Sequence, residues 1–584
     1  MFDQAPTTAR AGLRMPRASS AWTLGALAIA LPIAVPIAAI LLNFAAPESA
    51  VWAHLRETVL LEYLLNTVAL LMMVAILALF LGAGCAWLVA TKEFPGRRVF
   101  AWALILPFAA PAYVVAYAYA DLLAYAGPLQ AWLRELDLLR EGLPAIRSLP
   151  GAGLVLGFTL YPYVYLLAYV AFADRAGALA EAARTLGASP RRAFVSIALP
   201  QARPAIAGGL ALALMEAAAD FGVVDFFGVP TLTNGIFRTW YAQGEHQAAM
   251  QLAGWLFLVV AALVVLEQLA RRGLRANPVS RNMPPPRTPL AGWRGPLAAL
   301  ACAVPIVLGL LLPAATLLRH ALVSGDPSFG ATFISYVANS VAVATIAAAL
   351  AGLCALWLNY ALRLQALRSP QSGAPLMRKD QPASPRAALT RFLTAQARLL
   401  RLGVRTATLG YAIPGMVLAV GLIGPLTAFD KQLAGWLESI LGIRTGLLLT
   451  GSVAALVFVY LARFLTVAFN SLEGGMARVH PNYDSAARSL GSSPGGLLAR
   501  VHLPLLTPAL LTAMLLVFVD VIKELPATLI LRPFNFETLA TRAYRLASDE
   551  RLAEASTASL MILAVGLVPT LALGWRNFAA RGSR

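Results

Sequence analysis

The stretch Glu181-Ala-Ala-Arg-Thr-Leu-Gly-Ala-Ser-Pro190, followed by Leu199-Pro200 and Pro204, returns as Ser485-Ala-Ala-Arg-Ser-Leu-Gly-Ser-Ser-Pro494, followed by Leu503-Pro504 and Pro508. The copies stand 304 positions apart. In the first, Glu181 to Leu186 reads as a helix stopped by Gly187, because glycine tolerates the left-handed backbone that ends helices. Ser189 then caps a second helix whose first residue is Pro190, where a missing amide hydrogen costs nothing. Gly491, Ser493 and Pro494 repeat the grammar, and each loop is expected to close at its Leu-Pro as the chain turns back.

The repetition spreads outward from these loops. Asn66-Thr-Val-Ala pairs with Asn339-Ser-Val-Ala, and Pro111 in Pro-Phe-Ala-Ala-Pro pairs with Pro414 in Gly-Tyr-Ala-Ile-Pro. The offset is 273 at Asn66 and 303 at Pro111, so about 30 residues are inserted between those points in the second copy. The expected organisation is an N-terminal half, 1–270, with its polar loop at 175–204. A basic, proline-rich connector follows at 271–294, where Met283-Pro-Pro-Pro-Arg cannot continue a helix. The C-terminal half, 295–584, carries the insert at 364–403, rich in Ser, Pro, Arg and Gln at its start and expected to be mobile, and its own polar loop at 478–508.

Of 584 residues, 59% are hydrophobic and only 13% charged, with mean hydropathy +0.71. So much apolar surface excludes a water-soluble globule. Runs long enough to cross roughly 30 Å of hydrocarbon fall near 21–43, 59–90, 99–126, 150–173, 204–228, 248–270, 295–318, 334–362, 404–427, 446–471, 508–532 and 555–576. The fold class expected is an all-α integral membrane protein of about twelve transmembrane helices, as two homologous six-helix halves. Six spans being an even number, the halves enter from one side and have parallel topology.

The first run follows Arg10, Arg14 and Arg17, as a signal peptide would, but its length favours a retained helix. The net charge of +18 sits in alternate loops, for example Arg191 and Arg192, then Arg271, Arg272 and Arg275, then Arg378, Lys379 and Arg386. By the positive-inside rule those loops and both termini are cytoplasmic, and the basicity reports topology rather than nucleic-acid binding. Cys85, Cys302 and Cys354 lie in separate spans without a Cys-x-x-Cys pair, and the five histidines are scattered singly, so no metal spacing and no nucleophile–base arrangement appears.

Ionisable side chains inside a membrane are costly and by default face the bundle interior or water. Glu216 and Asp220 stand four apart on one helix face, and adding 304 to each gives Asp520 and Glu524. Four such carboxylates suit a path for a hard, oxygen-loving cation. The alternative reading is local ion pairing, with Lys523 a candidate partner, or hydrogen bonding where the helices break at Gly222 and Pro526. Asp225 has no acidic counterpart. Arg238-Thr-Trp240 matches Arg542-Ala-Tyr544, expected as interfacial anchors or as a docking surface at the outer face.

The pattern Glu-Ala-Ala, three residues, Gly and a later Leu-Pro resembles the coupling loop of ABC importer permeases, in which the loop helix docks into a separate ATP-hydrolysing subunit. The resemblance implies docking roles for Glu181, Ala182, Ala183, Gly187 and Ala188, and for Asp484, Ser485, Ala486, Ala487 and Gly491. Ser485 stands where the family's Glu would be, which moves the acidic contact to Asp484 and implies unequal coupling by the halves. Ala219-Asp-Phe-Gly-Val-Val-Asp-Phe-Phe-Gly, Lys523-Glu-Leu-Pro-Ala-Thr-Leu-Ile-Leu-Arg-Pro-Phe and the fused layout resemble permeases of ferric-iron importers. That likeness implies a type I importer fold in a bacterial inner membrane, surrounded by lipid and partnered by two copies of an ATP-binding subunit and a periplasmic binding protein. No cofactor is expected on this chain, which has no Gly-x-x-x-x-Gly-Lys-Ser/Thr phosphate loop and no sign of being an enzyme. Importers of thiamine, polyamines, sulfate or phosphonates remain alternatives, as does, from another class, a secondary transporter.

Overall fold

The computed structural model describes residues 17–47, 49–137, 142–173, 177–271, 287–327, 329–367, 385–442 and 444–582. Eleven helices among them are long and apolar enough to cross a bilayer. A bent pair, Arg97–Ala109 with Ala112–Leu122, folded through 90° at its break, makes a twelfth span. The break falls at Pro111, which has no amide hydrogen to donate and sits in extended backbone as the cap of the second limb. Pro414 plays the same part ahead of Gly415–Leu441. Large apolar side chains such as Leu42, Phe80 and Leu353 are exposed on the outer faces of spans, as lipid rather than water as solvent requires.

Two pairs of long-range hydrogen bonds repeat between the halves. Asn66 Nδ2 donates to Pro230 O and Asn339 Nδ2 to Glu537 O, both at 3.0 Å. Thr67 Oγ1 accepts from Leu232 N–H at 3.1 Å, and Ser340 Oγ from Leu539 N–H at 2.8 Å. The halves interlock by exchanging their first helices. Trp22, on the first span, packs on Trp357 of the second half with ring centroids 4.1 Å apart. Reciprocally, Leu308 O accepts from Tyr119 Oη at 2.6 Å, and His320 Nε2 lies 2.7 Å from Asp121 Oδ2. The approach is close: a Cβ on Gly309 would stand 2.6 Å from Phe158 O. Small residues are what permit such helix contacts where lipid offers no hydrophobic drive.

Three sequence expectations change. The insert is not wholly irregular: Pro385–Ala407 is a helix that packs along the first span, with Gln396 Nε2 donating to Thr23 Oγ1 at 3.1 Å. The part of the insert at 368–384, most of the connector, and the start of the N-terminal tail lie outside the described residues. Nor does Leu-Pro end either loop. The chain runs through Phe194–Ala198 and Leu498–His502 as π-helical turns into continuous helices from Leu199 and Leu503, the wider turn accommodating the proline. Cys85 and Cys302, remote in sequence, are neighbours across the two halves, both free and buried.

Candidate cavity and coupling-loop sites

The helix leaving the first coupling loop stops at Ala219, and Asp220 turns to extended backbone. Its Oδ1 accepts the Val223 N–H at 2.9 Å, capping the short helix Gly222–Phe226. In the second half Glu524 does the same work for Pro526–Leu531, accepting from Ala527 N–H at 3.0 Å, Thr528 N–H at 3.1 Å and Thr528 Oγ1 at 2.9 Å. A carboxylate at a helix start satisfies amides that have no partner within the helix and meets the positive end of its dipole. One member of each i, i+4 pair is therefore a cap at a helix break.

The other members, one turn earlier, meet cations. Asp520 Oδ1 lies 2.9 Å from Lys523 Nζ. Glu216 receives Arg463 Nη2 at 3.3 and 3.4 Å, while Arg463 Nη1 donates to Glu524 Oε1 at 3.0 Å. Arg463, 5% exposed, thus bridges a carboxylate of each half. The sequence reading missed it, although its signal was present: Arg463 is the lone charge in the apolar run Leu456-Val-Phe-Val-Tyr-Leu-Ala-Arg-Phe-Leu. At offset 304 its first-half equivalent is Thr159.

All four carboxylates line one cavity of about 80 Å³, together with Arg463, Lys523, Thr159, Tyr113, Tyr163 and Tyr411. That space exceeds several times the roughly 10–15 Å³ that one water needs, so a small ion fits with part of its hydration. Tyr163 and Tyr411, one from each half, share a hydrogen bond at 3.0 Å. Four carboxylates against two cations leave the ionised lining with net negative charge. Among the described residues no three His, Cys, Asp or Glu side chains converge as a metal site. Asp225 lies apart, accepting from Tyr544 Oη at 2.7 Å and Asn234 Nδ2 at 3.1 Å, and so joins the halves structurally.

The two candidate coupling loops fold as their grammar requires. Gly177–Thr185 and Pro481–Ser489 are the first helices, and each ends at a left-handed glycine, Gly187 at φ +93° and Gly491 at φ +81°. Ala188 N–H bonds to Ala183 O and Ser492 N–H to Ala487 O, both at 3.0 Å, closing the helix ends. Glu181 lies in the first helix, its side chain outside the described residues. Ala182 is exposed and Ala183 half-buried; Ser485 and Ala486 are exposed and Ala487 is buried. Leu186 and Leu490, directly before the two glycines, are 89% and 85% exposed. The two leucines stand at equivalent positions of the two loops, and the sequence reading passed over them.

Asp484 corrects an expectation. Rather than facing outward as a displaced contact, it is fully buried, with Arg363 Nη2 at 2.6 Å, Arg363 Nε at 3.0 Å and His502 Nε2 at 2.6 Å. Arg363 also donates to Val479 O at 2.9 Å, and Tyr360 Oη to Pro494 O at 2.5 Å. The second loop is bolted by polar contacts to the helix Ala331–Ala366. At offsets of 273 and 304 the first half has Ala90, Ala180 and Ala198 where the second has Arg363, Asp484 and His502.

Residues 76–267, which contain the first coupling loop and the Glu216–Asp220 pair, match the family model described as binding-protein-dependent transport system inner membrane component. The Fe(3+)-transport system permease protein FbpB 2 of Haemophilus influenzae is 25% identical over 575 residues, covering 96% of this chain and 99% of that protein. A probable sulfate transport system permease protein cysT of Nephroselmis olivacea is 30% identical over 207 residues, 35% of this chain and 71% of its own. The sulfate transport system permease protein CysW of Escherichia coli is 33% identical over 165 residues, 28% of this chain and 55% of its own. The chain belongs to the inner membrane components of binding-protein-dependent transport systems. It is a multi-pass ABC permease.

The far end of this permease revises one sequence match. The repeated Thr67 and Ser340 hydrogen bonds fix the local offset at 307, from Leu232 to Leu539, so Arg238 corresponds to Arg545 rather than Arg542. Three residues added between Pro526 and Glu537 cause the shift. Arg542 is buried, bidentate to Asp326 at 3.0 and 2.8 Å, and serves packing between helices rather than a docking surface.

Proposed function

We propose that this permease imports ferric iron, handed to it by a periplasmic binding protein and driven by two copies of a separate ATP-binding subunit that dock on the two coupling loops. The observation that carries the substrate is the cavity: its oxygen-rich, net negative lining suits a hard cation. The relative that spans the whole chain and is named for Fe(3+) supports the same reading. Sulfate, the cargo in the names of shorter relatives, would need free cationic donors, whereas Arg463 and Lys523 are both held by carboxylates.

The coupling loops and both termini face the cytoplasm on this reading, as the loop arginines favour. Hydrolysis and its nucleotide belong to the partner, since this sequence has no phosphate loop. Closure of the ATP-binding pair draws the loops together, and the continuous helices from Leu199 and Leu503 carry that motion to the carboxylates that end them. The test is ATP-dependent uptake of radiolabelled ferric iron into liposomes holding the permease, its ATP-binding subunit and the binding protein, with sulfate and thiamine as competing cargo. Iron uptake abolished by Gly187→Arg is the expected result; accumulation of sulfate or thiamine instead overturns the substrate.

A further inference from the structure

The cavity holds three phenols as well as four carboxylates, and their arrangement goes beyond a general negative field. Tyr163 and Tyr411 come from opposite halves, meet at 3.0 Å, and both interact electrostatically with Glu216 and Asp520. Tyr113 is 4% exposed, lies beside Asp220 and Glu524, and its hydroxyl has no hydrogen-bond partner among the described residues. A buried hydroxyl left unpaired costs about 1–3 kcal/mol, so this wall of the cavity carries a polar group that the fold itself leaves unsatisfied. Carboxylate and phenolate oxygens are the donors that a hard trivalent cation prefers, and tyrosine oxygen is an established iron ligand.

The two carboxylates of each i, i+4 pair differ in freedom. Asp220 and Glu524 are committed to helix amides. Glu216 is 30% exposed and is the looser partner of Arg463, at 3.3 and 3.4 Å against 3.0 Å for Glu524. Among the described residues, the ion pair of Asp520 is the local one with Lys523. Glu216, Asp520 and the Tyr163–Tyr411 pair are therefore the oxygens able to turn to a cargo ion, drawn equally from the two halves.

We infer that Tyr163 and Tyr411, with Glu216 and Asp520, form a transient cation site between the halves, in which ferric iron competes with Arg463 for Glu216. The inference rests on the ferric reading above. When a phenol binds, its O–H bond breaks and an Fe–O bond forms; the proton leaves on a cavity water and no electron moves. Loss of the Arg463–Glu216 contact then removes an ion pair that ties one half to the other, so the cargo itself loosens the seam it must pass.

The experiment uses the permease with its ATP-binding subunit in lipid nanodiscs, titrated with ferric citrate and read by visible absorption for the phenolate-to-iron charge-transfer band. Ferric uptake into liposomes is measured on the same preparations. Tyr163→Phe, Tyr411→Phe and the double variant remove only hydroxyls, so the packing of the rings is kept; Tyr125→Phe, an exposed tyrosine outside the cavity lining, is the control. The expected result is a band in the wild type and in the control, lost in the double variant, with uptake slowed about tenfold, equivalent to about 1.4 kcal/mol. Wild-type uptake with no band, or a double variant that keeps the band and full uptake, overturns the site while leaving the ferric reading intact. A wild type that carries no ferric iron overturns both.

Discussion

At the scale of single residues, this permease places charge where its loss is costly. Asp484 is the sharpest case because three hydrogen bonds from Arg363 and His502 converge on a carboxylate with no access to water. Removing one member of a buried ion cluster strands the others, typically at about 3–5 kcal/mol, whereas replacing the whole cluster with apolar residues is often far milder. Asp484→Ala is expected to lower the thermal midpoint markedly, and the triple change Arg363→Ala, Asp484→Ala, His502→Ala to recover part of that loss. The triple variant recreates the alanines that the first half carries. A triple variant no more stable than the single one would mean that packing, rather than the stranded charge, sets the cost.

At the scale of elements, the coupling helices join a rigid end to a sticky tip. Leu186 and Leu490 sit where each helix meets its left-handed glycine, so backbone geometry holds both leucines out from the loop. Replacing either with Glu leaves the glycine turn untouched while putting charge on the proposed docking surface. Co-purification of the ATP-binding subunit is expected to fall severalfold for Leu186→Glu, and further for the double change, with no shift in the permease's own thermal midpoint. Unchanged co-purification would move the docking contact away from the leucines. Among the described residues, the second loop is held by polar bonds and the first by the packing of Trp87 on Phe172 and Phe194.

At the scale of the whole molecule, contacts between the halves hold the fused chain together at more than the cavity. At the end away from the coupling loops Arg147 of the first half grips Glu550 of the second at 2.5 and 2.7 Å. The hydrogen bond from Arg147 holds the Glu550 carboxyl below its ordinary range. A depressed folded-state value means the pair's stabilisation is complete above the usual glutamate value of about 4.3 and is lost as pH falls through the lowered one. Both side chains are more than a third exposed, so the contribution is about 0.2–1 kcal/mol. Glu550→Gln is expected to melt slightly below the wild type at neutral pH and to match it under strong acid. A gap that persists in acid would assign the effect to packing of Arg147 on Phe226 instead.

The sequence by itself determined the spans, the doubling and the glycine-ended geometry of the two polar loops, because these rest on local rules: apolar length against bilayer thickness, glycine at a left-handed helix end, and repetition at a fixed offset. It also found Glu216, Asp220, Asp520 and Glu524, since carboxylates in greasy helix are conspicuous. Only the tertiary structure decided what each one meets. Two became caps, because the helices break beside them, and three face cations, Glu216 and Glu524 meeting Arg463 from a different helix and Asp520 meeting Lys523. The inward turn of Asp484 was equally hidden, since its partners stand 121 and 18 residues away. So was the exchange of first helices between the halves, where Tyr119 reaches a carbonyl 189 residues on. Spacing along the chain tells which face of a helix a charge lies on, while the partner that neutralises it is chosen by packing between helices, a contact between distant segments that no local pattern encodes.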